Sequence, residues 1–246
     1  MLDAVPDRKP PRGFNAFTGT VIRTIWVIAI LRLLSVSAQL HRSHLLIPFV
    51  MRPLSYVYPY ALIFWVVFIW AFVREAGVIS RAQKAAASGG APDDKGSLRV
   101  VVVTQALAFI AAFWLAWVAK GRYTNPYVAF WVGVIMLIAG AVLRRLCFRA
   151  LGASFTGEVR VRPDQRVIVA GPYHWVRHPS YTAGILMITG VATALGSWIG
   201  TLVAFSLAVV GYAYRVRVEE RALSATLGEA YRSYAATTKR FIPFVI

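Results

Sequence analysis

Long runs of apolar residues, bounded by charged or turn-forming residues, dominate the pattern of the chain. A helix that crosses a bilayer needs roughly 20 predominantly apolar residues. The pattern predicts six such spans, the first interrupted by Arg23 and Arg32 and the last two joined tightly at Trp198. The predicted spans are Val21–Gln39, Leu54–Val73, Leu98–Ala119, Pro126–Leu143, Tyr181–Ser197 and Ile199–Tyr214.

Composition agrees with this pattern. Of 246 residues, 58% are apolar and 15% are charged, and the mean hydropathy is +0.60. Soluble domains carry about 25% charged residues, so this chain has too little polar surface to cover a globule. We therefore predict an all-α, polytopic integral membrane protein. The lone Cys147 excludes an intrachain disulfide, and the four His fall in two distant pairs, so no metal site is predicted.

The net charge of +17 comes from Lys and Arg placed at the ends of the apolar runs. That placement is typical of proteins that contact membrane lipids, and it does not favour nucleic acid as a partner. With the N-terminus inside and six spans, the inside segments hold 22 basic residues and the outside segments hold four. The positive-inside rule then predicts cytosolic termini, in the cytoplasmic membrane or, in a eukaryote, the endoplasmic reticulum.

A flexible cytosolic linker, Ala85–Ser97, is indicated by its Ala, Ser, Gly and Pro content. It divides the chain into an N-terminal two-span unit, residues 1–84, and a C-terminal four-span unit, residues 98–246. The second unit contains the candidate chemistry.

Two polar clusters in that unit stand out. The stretch Gly171–Tyr181 packs donors, aromatics and turn residues directly before an apolar helix. The last span continues as a polar helix in which Tyr212, Arg215 and Glu219 share one face. The adjacent carboxylates of Glu219 and Glu220 are candidates to hold a cationic cosubstrate. The alternatives are an interfacial elbow without chemistry and ordinary ion pairs on the helix surface.

Beyond the second cluster, Leu227–Ile246 reads as a short amphipathic helix followed by an apolar end. We predict that it folds back as a lid or a membrane anchor.

Together the two clusters resemble the isoprenylcysteine carboxyl methyltransferase family, whose wider group includes phospholipid N-methyltransferases. The resemblance covers about Leu143–Ile246. It rests on motifs in a fixed order, which are Gly171-Pro172-Tyr173, Arg177-His178-Pro179-Ser180-Tyr181, a helical hairpin, Arg217-Val218-Glu219-Glu220 and Leu227-Gly228-Glu229-Ala230-Tyr231-Arg232-Ser233-Tyr234.

This resemblance implies an S-adenosylmethionine-dependent methyltransferase with a cytosol-facing cofactor pocket and a lipophilic acceptor that enters from the bilayer. Arg215 matches the family's arginine beside the methyl-accepting group, and Glu220 is a second catalytic candidate. The implied cofactor-binding residues are Gln165, Arg166, Val167, Ile168, Tyr173, His178, Pro179, Ser180, Tyr181 and Glu219.

The acceptor is open at this point. An isoprenylcysteine-type carboxylate needs no general base, whereas an amine must lose a proton, for which Glu220 or His178 are candidates. Two residues depart from the family pattern: Gln165 replaces a common His, and Gly184 lies one position later than in the phospholipid enzymes, which favours the carboxylate. Alternatives are a phospholipid or small-molecule N- or S-methyltransferase, an NADPH-dependent membrane sterol-type reductase, and a non-catalytic protein that retains the scaffold.

Overall fold

Five long helices and one short helix make up the regular structure in the computed structural model, which describes residues 53–86, 94–118, 120–152, 155 and 167–241. The long helices are α1 (Tyr60–Ala86), α2 (Ser97–Trp117), α3 (Pro126–Leu151), α4 (Pro179–Ala194) and α5 (Trp198–Leu227), and the short one is α6 (Glu229–Thr237). Single 3₁₀ turns lie at Leu54–Tyr56 and Gly171–His174. The predicted first span, Val21–Gln39, lies outside the described residues.

Local sequence signals set the helix ends. Asn125 caps α3 by accepting from the backbone N–H groups of Tyr127 and Val128 at 3.1 Å each, and Pro126 occupies the first turn. Ser197 caps α5 through a 3.1 Å bond from the Gly200 N–H. The same helix ends at Gly228, whose φ of 54° suits glycine.

Four of these helices are long and apolar enough to cross a membrane: Tyr60–Arg81 within α1, and all of α2, α3 and α5. The fifth, α4, has 16 residues and is therefore roughly 24 Å long, less than the ~30 Å of a hydrocarbon core. Large apolar side chains remain exposed on the outer faces of α2, α3 and α5, as expected of surfaces that contact lipid. Examples are Ile110, Trp114, Ile135 and Val210.

Close helix packing holds α4 against α3, and α2 packs extensively on α5. At Gly133 of α3, a Cβ would overlap the backbone of Gly190 and Ala194 in α4. Small residues of this kind let helix backbones approach closely where no hydrophobic force drives association.

The connections at one end of the bundle are tied together. The Ser197 hydroxyl donates to the Lys120 carbonyl at 2.6 Å, and the Trp198 N–H donates to the Gly121 carbonyl at 2.7 Å. Because consecutive long helices run antiparallel, the end of α3, the start of α4 and the C-terminal half of α5 meet at the opposite end. That end contains both polar clusters.

Candidate functional site

Both polar clusters lie together at the end of the bundle where α4 begins. The 3₁₀ turn brings in Tyr173, and Pro179 occupies the first turn of α4 directly after His178. We call the stretch Gly171–Tyr181 the elbow. The hydrogen bonds described below join the elbow to the C-terminal half of α5. The structure therefore brings together eight of the predicted residues, namely Tyr173, His178, Pro179, Ser180, Tyr181, Arg215, Glu219 and Glu220.

Tyr181 lies at the centre of the site. Its hydroxyl donates to Glu219 Oε2 at 2.6 Å and accepts from Arg215 Nε at 3.0 Å. Its ring stacks between His178, with ring centroids 5.5 Å apart, and Tyr212, with centroids 5.0 Å apart. One phenol thus links the two α5 residues that the sequence placed on one helix face.

Gly184 explains how Tyr212 reaches that stack. A Cβ at this position would overlap the Tyr212 phenol, so only glycine leaves room for the ring against α4. The Tyr212 hydroxyl is itself bonded, accepting from Gln105 Nε2 of α2 at 2.8 Å. The close approach to Gly184 of α4 and the hydrogen bond from Gln105 of α2 therefore both fix the orientation of the Tyr212 ring.

The adjacent carboxylates Glu219 and Glu220 have different surroundings. The Glu220 side chain is 16% exposed, and its oxygens lie within 3.3 Å of nitrogen atoms of Arg177, His178 and Arg240. Glu219 is 30% exposed and lies 3.6 Å from His178 Nδ1. His178, which is buried, thus bridges the two carboxylates, and Glu219 presents the more accessible one.

Arg215 is 6% exposed and has a buried acidic partner. Its Nη1 lies 3.0 Å from Asp94 Oδ1 and 3.1 Å from Ser97 Oγ. Both residues belong to the predicted flexible linker, yet Asp94 and Ser97 are buried at the start of α2. Asp94 was not among the site residues predicted from the sequence, although an Asp just before an apolar helix is a typical N-terminal signal.

A second buried arginine, Arg144, joins the N-terminal part of the described chain to α4. Its Nε lies 2.7 Å from Glu75 Oε1 of α1, and its Nη1 donates to the Ser180 carbonyl at 2.5 Å. Arg144 thus links α3 to the first turn of α4. Neither Arg144 nor Glu75 was among the site residues predicted from the sequence.

The C-terminal segment folds back onto the elbow, as predicted. Beyond α6, the carbonyls of Lys239 and Arg240 accept from the N–H groups of Arg177 and His178 at 2.7 and 3.0 Å. The Tyr234 hydroxyl donates to the Tyr173 carbonyl at 2.6 Å, and burial raises the pKa of Tyr234 to about 12. Whether the segment acts as a lid or an anchor stays a prediction, and residues 242–246 lie outside the described part.

Arg240 is the side chain that fastens this segment to α5. Its Nε and Nη2 donate three bonds of 2.9–3.1 Å to the Glu220 carboxylate, which raises the pKa of Arg240. We expect Arg240→Ala to speed limited proteolysis within the last ten residues by up to about fivefold, since a partly exposed charge pair contributes up to ~1 kcal/mol. Arg232→Ala, which removes an exposed pair with Glu229, is the control. Mass spectrometry measures the cleavage rates. Equal rates in the two variants would contradict this role of Arg240.

The remaining predicted residues lie before the 3₁₀ turn. Val167 and Ile168 are partly buried and belong to neither a helix nor a strand. Gln165 and Arg166 lie outside the described residues, so the predicted role of the stretch from 165 to 168 stays a prediction.

A groove of about 520 Å³ opens at the other end of the bundle. Its walls come from α3, α4, the start of α5 and the connection before α3, and Met136 and Thr189 lie among its lining residues. None of the predicted site residues lines it, so we locate the candidate chemistry by the polar cluster and not by this groove.

Comparison with known proteins connects the site to one family. Residues 132–225, which include Tyr181, Arg215 and Glu219, match the model of the isoprenylcysteine carboxyl methyltransferase (ICMT) family. A probable protein-S-isoprenylcysteine O-methyltransferase of Oryza sativa is 33% identical over 118 residues, covering 47% of this chain and 61% of the relative. Protein-S-isoprenylcysteine O-methyltransferase B of Arabidopsis thaliana is 31% identical over 116 residues, covering 46% and 58%.

Solved structures include a protein with the same fold. The eukaryotic intramembrane Ras methyltransferase ICMT aligns with a TM-score of 0.56 over 78% of this chain and 72% of its own, at 20% identity. At that identity the likeness shows the fold alone. This chain spans about three fifths of the length of the curated relatives named above.

Proposed function

We propose that the chain is an S-adenosylmethionine-dependent methyltransferase of the membrane, because its residues 132–225 match the model of the isoprenylcysteine carboxyl methyltransferase family. The proposed acceptor is a lipophilic carboxylate of the isoprenylcysteine type that enters from the bilayer. One observation carries the proposal: the Tyr181 hydroxyl bonds both Arg215 and Glu219, which gives the site an anion-binding and a cation-binding side within one small cluster.

The residues present fit the cofactor. S-adenosylmethionine, when bound, supplies an electrophilic methyl group on a positively charged sulfur. Glu219 offers an accessible carboxylate for a cation, and its contacts with the Tyr181 hydroxyl and His178 Nδ1 hold that carboxylate in place. We assign Glu219, His178 and Tyr181 to holding the cationic part of the cofactor. The assignment of Tyr173, Pro179 and Ser180 to the same pocket is also part of this proposal.

The acceptor is assigned to Arg215. A guanidinium binds a carboxylate with fixed geometry, and Arg215 is held from two sides by Asp94 and Tyr181. Catalysis of this kind consists mainly of positioning the two reactants and excluding water, and a carboxylate acceptor has no proton to lose.

Glu220 and His178 bear on the choice between acceptors. An amine acceptor would need a base, and the Glu220 carboxylate already accepts from Arg177, His178 and Arg240. We therefore assign Glu220 to anchoring the C-terminal segment, and this assignment supports a carboxylate over an amine.

The orientation in the membrane belongs to the same proposal. The site end carries the basic residues of the predicted inside segments, such as Arg144, Arg145 and Arg177. The site would then open to the cytosol, where the cofactor is made, while the acceptor approaches through the lipid.

Two experiments on the detergent-purified protein test the proposal. Calorimetry with S-adenosylhomocysteine and with NADPH separates a methyltransferase from a reductase: binding of NADPH alone would overturn the proposal. Transfer of label from S-adenosyl-[methyl-³H]methionine to N-acetyl-S-farnesyl-cysteine, released by mild base as expected of a methyl ester, tests the acceptor. Transfer to phosphatidylethanolamine and not to the carboxylate would shift the assignment to the N-methyltransferase branch.

Glu219→Gln provides a test of the cofactor side. We expect it to weaken S-adenosylmethionine binding by about 10- to 100-fold in calorimetry, because a charge-assisted hydrogen bond contributes about 1.5–3 kcal/mol. Glu229→Gln is the matched control, since that carboxylate is 81% exposed on α6 and its binding effect should be under twofold. Unchanged affinity in Glu219→Gln would remove this residue from the cofactor pocket.

A further inference from the structure

Asp94 is an acidic partner of Arg215 that lies outside the family match at residues 132–225. It is 121 positions away from Arg215 in the sequence and 3.0 Å away in space. Both side chains are buried, at 8% and 6% exposure. This pair is built by tertiary packing of α2 against α5.

Its surroundings hold Asp94 in place. Oδ1 accepts from Ser97 Oγ at 2.8 Å, and Oδ2 accepts from the Leu98 N–H at 2.9 Å, at the start of α2. These two bonds fix the position of the Asp94 carboxylate beside the Arg215 guanidinium. Asp94 is therefore a fixed negative charge next to Arg215.

The charge of Arg215 matters for the reaction assigned to it. In methyl transfer to a carboxylate, the new bond joins carbon to the acceptor oxygen. The carbon–sulfur bond breaks, and the sulfur keeps the electron pair. The acceptor loses its negative charge as the neutral ester forms, and no proton moves. An arginine with its full charge unbalanced would bind the starting carboxylate more strongly than the transition state, which would lower turnover.

We infer that Asp94 is a positioning residue that balances the charge of Arg215, so that the site discriminates only weakly between the carboxylate acceptor and its methyl ester. The inference rests on the proposed function, because it requires an acceptor that changes charge beside Arg215. It follows from three observations: the pair is buried, Asp94 is fixed by two further donors, and Arg215 Nε is directed to the Tyr181 hydroxyl.

Binding can test this inference without turnover. The affinities of N-acetyl-S-farnesyl-cysteine and its methyl ester are measured in the presence of S-adenosylhomocysteine, and their ratio is compared between variants. Asp94→Asn keeps the size of the side chain and an acceptor for Arg215 but removes the charge. In this variant we expect the ratio of the two affinities to shift about tenfold in favour of the carboxylate. We also expect KM for the acid to fall and kcat to fall at least tenfold.

Ser97→Ala is the second variant, and it keeps both charges while removing one bond to Arg215 and one to Asp94. We expect its affinity ratio to stay within twofold of the original, with a smaller loss of kcat. An unchanged ratio in Asp94→Asn, or an equal shift in Ser97→Ala, overturns the inference. If Asp94→Asn does not fold, the test rests on Ser97→Ala. A shift in the acid-to-ester affinity ratio of Ser97→Ala then overturns the inference, and an unchanged affinity ratio supports it.

These outcomes differ from failure of the proposed function. A protein that binds S-adenosylhomocysteine but neither the acid nor the ester has another acceptor, whichever residue stands at position 94. A protein that binds both, with an affinity ratio independent of Asp94, keeps the proposed function and loses only the charge-balancing role.

Discussion

Arg215→Lys should reduce methyl transfer to a carboxylate acceptor at least about 100-fold in kcat while changing S-adenosylhomocysteine affinity less than threefold. Arg215 reaches Tyr181 with Nε and both Asp94 and Ser97 with Nη1. A lysine ammonium is a single point charge and cannot hold partners on both sides of a planar fork. The labelled-methyl assay and calorimetry on the same preparation give the two quantities.

Arg217→Lys is the matched control for this result. It makes the same replacement on the same helix, but Arg217 is exposed. We expect its kcat to stay within twofold. If the Arg215→Lys variant retains its turnover, or if it loses cofactor affinity instead of turnover, Arg215 does not hold the acceptor.

The apolar pattern predicted the bundle better than it predicted the helix ends. Each of the predicted spans within the described residues overlaps a helix, but α3 continues eight residues past Leu143 and α5 continues well past Tyr214. Hydropathy detects where a helix is in lipid, whereas backbone hydrogen bonding continues into polar sequence without change. The extensions are the parts that carry Arg144, Arg215 and Glu219.

Helical periodicity explains why part of the site could be predicted. Tyr212, Arg215 and Glu219 were expected on one face of the last span, and all three side chains contact Tyr181. Such relations depend only on the 3.6-residue repeat within one helix. The contact to Tyr181 needed a second element, and the motif order on either side of the hairpin supplied it.

The partners Asp94 and Glu75 could not be predicted in the same way. They lie 121 and 69 positions from the arginines they pair with. No local repeat relates residues so far apart, and the pairing depends on which helices become neighbours. Asp94 was also hidden by composition, because it follows a stretch rich in Ala, Gly and Ser that reads as a linker. Its position at a helix start was the one local signal available.

The second large effect concerns stability. Arg144→Met should lower the free energy of unfolding by about 3–5 kcal/mol, because it leaves the mostly buried Glu75 carboxylate unpaired and removes a donor from the Ser180 carbonyl. Equilibrium unfolding in mixed micelles measures the change. Arg81→Met is the control, since Arg81 is exposed on α1 and bonds only to the Gly77 carbonyl of its own helix turn among the described contacts. Its cost should stay below about 0.5 kcal/mol.

A double replacement separates an unpaired charge from lost packing. In Glu75→Leu/Arg144→Met, no buried charge is left alone, so we expect at least half of the lost stability to return, as in other buried pairs replaced by apolar residues. The Ser180 carbonyl stays without the Arg144 donor in both variants, so turnover should remain reduced in the double variant even where stability recovers. Recovered stability together with reduced turnover would show that Arg144 positions the first turn of α4, which contains Tyr181. Full recovery of both would reduce Arg144 to a structural ion pair.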